Sequence, residues 1–414
     1  MNKLNELIHK LCPDGVEYKR LGEIATVSRG GNFQKKDYVE MGIPCIHYGQ
    51  IYTQYGLFVD KTISFISEEK AARQKFAVKN DIIMAVTSEN IDDVCKCIAW
   101  LGEEDVAVSG HTAIIHHTVN PKYLVYYLHS TMFYKQKTKL AHGTKVIEVT
   151  PDKLLDITLP VPSTEIQNEI VRILDNFTEL TAELTAELTA RKQQYEYYRK
   201  RLLDPNSWEQ DQPADKTTIG KCCDVLTGFP FDSSQFSNSG IRLMRGMNVK
   251  RGYLDFSEGN NRSWNSTEGM EKYLLQDGDI IIAMDGSLVG KSFGVIQEAD
   301  LPLLLVQRVA RIRSDKVNMR YLYHCIVKDL PNYTDKKKTA GAVPHIRLRD
   351  IQSFPLTLPP AEIQEKIASV LDNFDSICSD LNIGLPAEIE ARQKQYEYYR
   401  DKLLTFEERK ENVG

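Results

Sequence analysis

One phrase of this sequence occurs twice. Residues 191–203 read Arg-Lys-Gln-Gln-Tyr195-Glu-Tyr-Tyr198-Arg-Lys-Arg-Leu-Leu, and residues 392–404 read Arg-Gln-Lys-Gln-Tyr396-Glu-Tyr-Tyr399-Arg-Asp-Lys-Leu-Leu. A second pair precedes it: Glu165-Ile-Gln167 with Leu174-Asp-Asn-Phe177, and Glu362-Ile-Gln364 with Leu371-Asp-Asn-Phe374. Further upstream, Asp81-Ile-Ile-Met-Ala85 answers Asp279-Ile-Ile-Ile-Ala283 at an offset of 198 residues. A register kept across unlike sequence marks a tandem duplication. The copies agree in their helical ends and diverge in the parts before them, so one frame carries two different heads.

The 414 residues suffice for two domains with their own cores, and 42% apolar with 26% charged residues describes a globular chain. The eight cysteines include Cys95-x-Cys97 and Cys222-Cys223, neither with zinc half-site spacing, and read as reduced thiols. No apolar run reaches the length of a membrane span. The expectation is a soluble, cytoplasmic protein with no membrane partner. The net charge of −5 conceals a segregation: residues 216–358 hold 20 basic and 15 acidic groups, while residues 159–215 hold 6 and 11. A DNA reader needs a local positive face rather than a positive total.

Short β-rich runs, such as those at 42–48, 81–86 and 113–119, fill residues 20–158, with a helical pattern near 123–128. From about residue 164 to 203 apolar residues recur three or four apart: Ile166, Ile170, Phe177, Leu180, Leu184, Leu188, Tyr195 and Tyr198. Their counterparts are Ile363, Ile367, Phe374, Tyr396 and Tyr399, in a helix broken or kinked by Gly384 and Pro386. These stripes are expected to pack the helices together and to dock partners. The first carries a tandem Thr-Ala-Glu-Leu unit, and each four-residue unit adds about 6 Å of helix and turns its stripe by about 40°. The plan is an N-terminal segment 1–19, a domain 20–158, a helix 159–203, a linker 204–215, a domain 216–358, a helix 359–405 and a tail 406–414. The fold class is α+β: two tandem β-rich domains of mixed α/β character, separated by two long antiparallel coiled-coil helices, in pseudo-twofold duplicated halves.

These features resemble the specificity subunit of type I restriction-modification systems. The resemblance is carried by the opening Leu11-Cys-Pro-Asp-Gly-Val-Glu17 with Leu21-Gly-Glu-Ile24, by the entries to the helices at 159–167 and 356–364, by the Tyr-Glu-Tyr-Tyr-Arg phrases, and by the Thr-Ala-Glu-Leu units. It is similar to the subclass in which unit number sets the gap between two half-sites. The resemblance implies two target-recognition domains, each reading one half of a split, asymmetric sequence in double-stranded DNA. It implies helices that space the heads and dock two modification subunits, which bind S-adenosylmethionine and methylate adenine. Restriction subunits would use ATP and Mg to translocate and cleave DNA. The chain itself would be non-catalytic and hold no cofactor or metal. The alternative is a coiled-coil scaffold joining two protein-binding heads.

The residues carry little chemistry of their own. Gly286-Ser-Leu-Val-Gly290-Lys291-Ser292 has three residues between its glycines where a phosphate loop needs four. His111, His116 and His117 lack a completing carboxylate and read as structural, and Cys45 with His47 lacks an orienting group. Base reading calls for forked donors and acceptors on loops, and phosphate grip for Lys, Arg, Ser and Thr. In the first domain the candidates are Arg29, Asn32, Gln34, Lys35, Lys36, Tyr48, Gln50, Thr87, Ser88, Lys139 and Lys145, in clusters that include Lys135 and Lys137. In the second they are Arg242, Arg245, Asn248, Lys250, Arg251, Ser287, Lys291, Lys336, Lys337, Lys338, Arg347 and Arg349.

Overall fold

A computed structural model describes residues 2–208, 214–338, 344–379 and 384–409. Residues 209–213 of the expected linker, 380–383 of the expected second long helix and 410–414 of the expected tail lie outside the described residues. The chain forms two compact units: residues 1–184 with 389–414, and residues 185–388. Each unit therefore holds one head, the start of that head's own helix and the end of the other helix.

In the first unit, Tyr18–Arg20 enters the head and Thr158–Pro160 leaves it, paired antiparallel with Tyr18 opposite Pro160. A five-stranded sheet runs Ala25–Arg29, Thr112–His117, Ile82–Ala85, Cys97–Trp100, Phe58–Val59. The middle strands are apolar on both faces because each is covered on both sides. One face meets helix Pro121–Leu128, whose Tyr123, Tyr126 and Tyr127 are buried with Ile166, Ile170 and Leu174 of the long helix. The other meets a second five-stranded sheet that includes Ile43–Ile46 and Val106–Val108. Asn120 caps the helix, Pro121 opens it, and the missing proline N–H costs nothing at that position. The N-terminal segment belongs to this unit: Asn2–Leu11 is a helix, and its Leu4 is buried in the same core.

The second unit repeats the plan. Asp215–Thr218 pairs with Pro355–Leu358, and a four-stranded sheet runs Asp224–Thr227, Val309–Arg313, Ile280–Ala283, Phe293–Val295. Three strands, Ser263–Trp264, Ile241–Met244 and Leu303–Leu305, form its second sheet. Helix Met319–Asp335 covers the first sheet, capped by Asn318 as its counterpart is by Asn120.

The first long helix is continuous over Thr164–Leu202. The second is described as Ala361–Ser379 and Leu385–Leu403; Gly384 is outside helix, and Pro386 sits in the first turn of the second piece, where proline is tolerated. In the first unit Phe177 stacks on Tyr399 with centroids 5.4 Å apart. In the second, Tyr195 and Tyr198 stack on Phe374 at 6.0 and 5.6 Å. In each unit, the start of one helix pairs with the end of the other.

Candidate nucleic-acid interface

Three loops converge in the first head. Loop 30–34 leaves strand Ala25–Arg29, His47 follows strand Ile43–Ile46 and caps helix Tyr48–Thr53, and residues 109–111 lead into strand Thr112–His117. Backbone bonds fasten them: Gly31 N donates to Val108 O at 2.6 Å and Ser109 N to Ile46 O at 3.1 Å. Tyr48 N donates to Ser109 Oγ at 2.8 Å. Gly30 is required by close approach, since a Cβ there would lie 2.1 Å from Ser109 O. The result is a cleft of about 550 Å³ lined by Arg29, Asn32, Phe33, Gln34, His47, Tyr48 and His111, with loop backbone. Within it Tyr48 lies between two imidazoles, 4.5 Å from His47 and 5.0 Å from His111 by ring centroids. Arg29 reaches Glu148 Oε1 and Gly110 O, both at 3.0 Å. Glu148 belongs to a strand paired with Thr87–Ser88, which brings the loop carrying exposed Lys145 to the same side. Lys35 and Lys36 are exposed beside the cleft, and Lys139 is exposed on helix Thr131–Leu140.

Three expected contacts in this head are structural instead. Gln50 is buried; its Oε1 accepts from His47 N at 2.8 Å and its Nε2 bonds to Ser64 Oγ at 2.5 Å. Thr87 is buried, its carbonyl accepting from Tyr52 Oη at 2.9 Å. Lys137 is buried too, its ammonium donating to the carbonyls of Asp92 and Val94 at 2.7 and 2.6 Å. His111, expected to be structural, lines the cleft, whereas His116 does pair with buried Asp81, Nδ1 to Oδ1, at 2.6 Å.

The second head groups its candidates differently. Asn248 is fully buried, accepting from Arg245 N at 3.1 Å and donating to Asp255 O and Asn260 O. It is a frame residue, as Gln50 is. Arg245 keeps its guanidinium 5.7 Å from the Phe236 ring centre. Arg242 lies over Phe256 and donates to Asp300 O, and Lys250 pairs with Asp255 at 3.6 Å. A second group forms around turn 286–291: Gly286 N donates to Pro344 O and Ile346 N to Met284 O, so the turn that carries Ser287 and Lys291 is fastened to the segment leading into Arg347 and Arg349. The turn also packs on the end of helix Met319–Asp335, where a Cβ on Gly290 would lie 1.8 Å from Thr334 Oγ1, beside exposed Lys336, Lys337 and Lys338. Arg251 joins neither group. It lines a separate cleft of about 600 Å³ with Tyr253, Tyr323, Tyr195, Arg199 and Asp375.

Comparison with known proteins decides the family. Residues 13–191 and 215–391 each match the type I restriction modification DNA specificity domain. The chain belongs to this family. Among curated specificity subunits, the EcoR124I/EcoR124II subunit of Escherichia coli is 37% identical over 253 residues, an alignment spanning 60% of this chain and 61% of that protein. A type I subunit of Haemophilus influenzae is 27% identical over 414 residues, covering 94% and 96% of the two chains. The crystal structure of a type I S subunit from M. genitalium shares the fold, with a TM-score of 0.57 at 13% identity over 94% of this chain and 96% of that one. The HsdS subunit from Thermoanaerobacter tengcongensis does so with a TM-score of 0.51 at 18% identity over 95% and 97%.

In this specificity-domain chain the helix stripes divide into inner and outer faces. Ile166, Ile170, Ile367, Tyr195 and Tyr396 are buried, Ile363, Phe177, Phe374 and Tyr399 are partly buried against the cores, and Tyr198 is partly buried against Phe374. They hold each unit together; Tyr396 is turned into the core, and Tyr195 is buried apart from its share of the cleft it lines with Arg251. Leu180, expected to pack, is 36% exposed, and Leu184 and Leu188 are half-buried. A four-residue spacing overshoots the 3.6-residue turn, so the leucines do not share one face: Leu180 is the most exposed, while Leu188 packs against the second unit's core. The outward residues of the repeated phrases are Tyr197 and Tyr398, 56% and 60% exposed. The sequence offered a signal for them: each is the middle aromatic of Tyr-Glu-Tyr-Tyr, about 200° around the helix from the first. No helix of the described residues is long and apolar enough to cross a membrane.

Proposed function

We propose that this chain selects the DNA target of a type I restriction-modification complex. Each head reads one half of a bipartite, asymmetric duplex sequence. The long helices fix the gap between the halves, with the Thr-Ala-Glu-Leu units as the adjustable length, and their outer faces dock two modification subunits. Those subunits supply S-adenosylmethionine and adenine methylation, and restriction subunits supply ATP- and Mg-dependent translocation and cleavage. The chain chooses the site and leaves the chemistry to its cytoplasmic partners.

The observation that carries this reading is the first head's cleft. It gathers a guanidinium, two carboxamides and an aromatic row on loops fastened to a rigid sheet, side chains suited to base edges. The second head repeats the underlying frame with different side chains, as two readers of unlike half-sites require. The family match and the shared fold support the same assignment. The test is a map of adenine methylation in the host with and without the gene. One bipartite motif should lose methylation when the gene is removed; an unchanged map contradicts the reading.

A further inference from the structure

Two positions carry different chemistry on one pattern of backbone hydrogen bonds, although the turn at the second differs, Arg308 having a positive φ where His111 does not. Ser109 N donates to Ile46 O in the first head, and Val306 N to Met244 O in the second, both at 3.1 Å. Gln50 N donates to His47 O at 2.8 Å, and Asn248 N to Arg245 O at 2.9 Å. Val86 N donates to His111 O at 3.0 Å, and Met284 N to Arg308 O at 2.9 Å. These bonds align His47 with Arg245 at an offset of 198, and His111 with Arg308 at 197. The frame residues match as well: Gln50 and Asn248 are both buried and both accept from the backbone N–H of the residue three before.

The side chains launched from this frame differ. In the first head both are imidazoles lining the cleft on either side of Tyr48. His47 Nδ1 accepts from Gly49 N at 3.2 Å, so the neutral ring keeps its proton on Nε2 and presents a single donor. Burial, with Lys35 and His111 nearby, lowers the pKa of His47 and favours that neutral form. In the second head both are arginines. Arg308 is exposed and holds φ +68°, a left-handed conformation that glycine adopts with less strain. An arginine kept there argues for what its side chain does rather than for the turn.

We infer that these are the paired base-reading positions of the two heads: His47 and His111 read one half-site through single imidazole contacts, and Arg245 and Arg308 read the other through guanidinium forks aimed at guanine. The inference rests on the DNA-reading function proposed above and names its specificity determinants. Arginine matches guanine O6 and N7 bidentately, which an imidazole cannot do. Gln50 and Asn248 act as positioning residues behind these side chains.

The test uses the full chain assembled with its modification subunits and a duplex panel in which every base pair of the mapped site is varied singly. Arg308→Gly relieves the backbone and should keep or raise Tm. It should lose about tenfold or more discrimination at one base pair of one half-site, leaving the other half-site unchanged. Arg245→Lys keeps the charge without the fork and should lose discrimination at another base pair of that half-site. His47→Arg should shift preference in the opposite half-site toward guanine. Full discrimination retained in both arginine variants overturns the inference. So does weakening that is equal for all sequences with a shallower salt dependence, which marks phosphate contacts. A wild-type assembly without bipartite preference fails at the earlier step, the function itself.

Discussion

The imidazole of His324 is fully buried, and its Nε2 lies 2.7 Å from Oδ1 of Asp372. His324 sits on the head's covering helix and Asp372 on the second long helix. Arg320 joins the same oxygen at 2.6 Å, and Tyr195 Oη lies 3.5 Å from the other ring nitrogen. The first unit builds the same joint from Asp175, which accepts from Tyr126 Oη at 2.7 Å and from Lys122 at 2.6 Å. Gln167 and Gln364 complete it, accepting from Asn120 N and Asn318 N at 2.9 and 3.0 Å. The repeated Leu-Asp-Asn-Phe and Glu-Ile-Gln phrases are thus the sockets by which each head grips its helix.

Asp372→Asn should loosen the second unit. Burial raises this carboxyl's pKa, but hydrogen bonds from His324 and Arg320 outweigh it and hold the value at about 2. The folded pKa lies below the unfolded value of about 3.9, so the stabilisation is complete above pH ~4 and is lost as pH falls toward ~2. The side chain is 34% exposed, so solvent screening limits the expected loss at pH 7 to about 1–2 kcal/mol. Urea unfolding followed across pH 2–7 checks it: the variant should show a flatter acid limb than the wild type.

Lys137 and Lys139 should behave oppositely although both lie on one helix. Lys137→Ala leaves the buried Val94 carbonyl and the partly buried Asp92 carbonyl without their donor and should destabilise the first unit by roughly 1–3 kcal/mol. Lys139→Ala should leave Tm unchanged, weaken DNA binding alike for all sequences and reduce the salt slope by about 1 if the side chain meets phosphate. Thermal melting and salt titration of the assembled complex separate the two.

Asn248→Ala should act first on stability. Its amide satisfies three backbone groups at zero exposure, so its loss should cost about 2–3 kcal/mol, read by urea unfolding. Unchanged stability would contradict its role in the frame.

Tyr197→Asp and Tyr398→Asp should impair recovery of modification subunits while leaving Tm within a few degrees of wild type. Exposed tyrosines commonly anchor interfaces, at about 1–2 kcal/mol or more each. Co-purification at matched expression is the readout, and full recovery by the double variant would assign docking elsewhere.

Much of this architecture is legible in the sequence because duplication prints it twice. The phrases that repeat, around Gln167, Asp175 and Tyr195, are those that make the joints and the helix stacking, so shared residues report shared contacts. The reading surface is harder to see because it is where the copies diverge. Gln50 and Asn248 look like base readers until a short turn buries them. His47 and Arg245 share no chemistry, and His111 and Arg308 come into register only after a one-residue slip that backbone pairing reveals. Lys137 resembles its exposed neighbours, and only the carbonyls of Asp92 and Val94 show why it is buried.

The most direct measurement inserts one Thr-Ala-Glu-Leu unit after Leu188 and maps adenine methylation in the same host. The added turn lengthens the helix by about 6 Å. The account predicts that both half-sequences persist while the gap between them grows by about one or two base pairs, at ~3.4 Å each. Altered half-sequences, or an unchanged gap with full methylation, would contradict two readers held apart by a helical spacer.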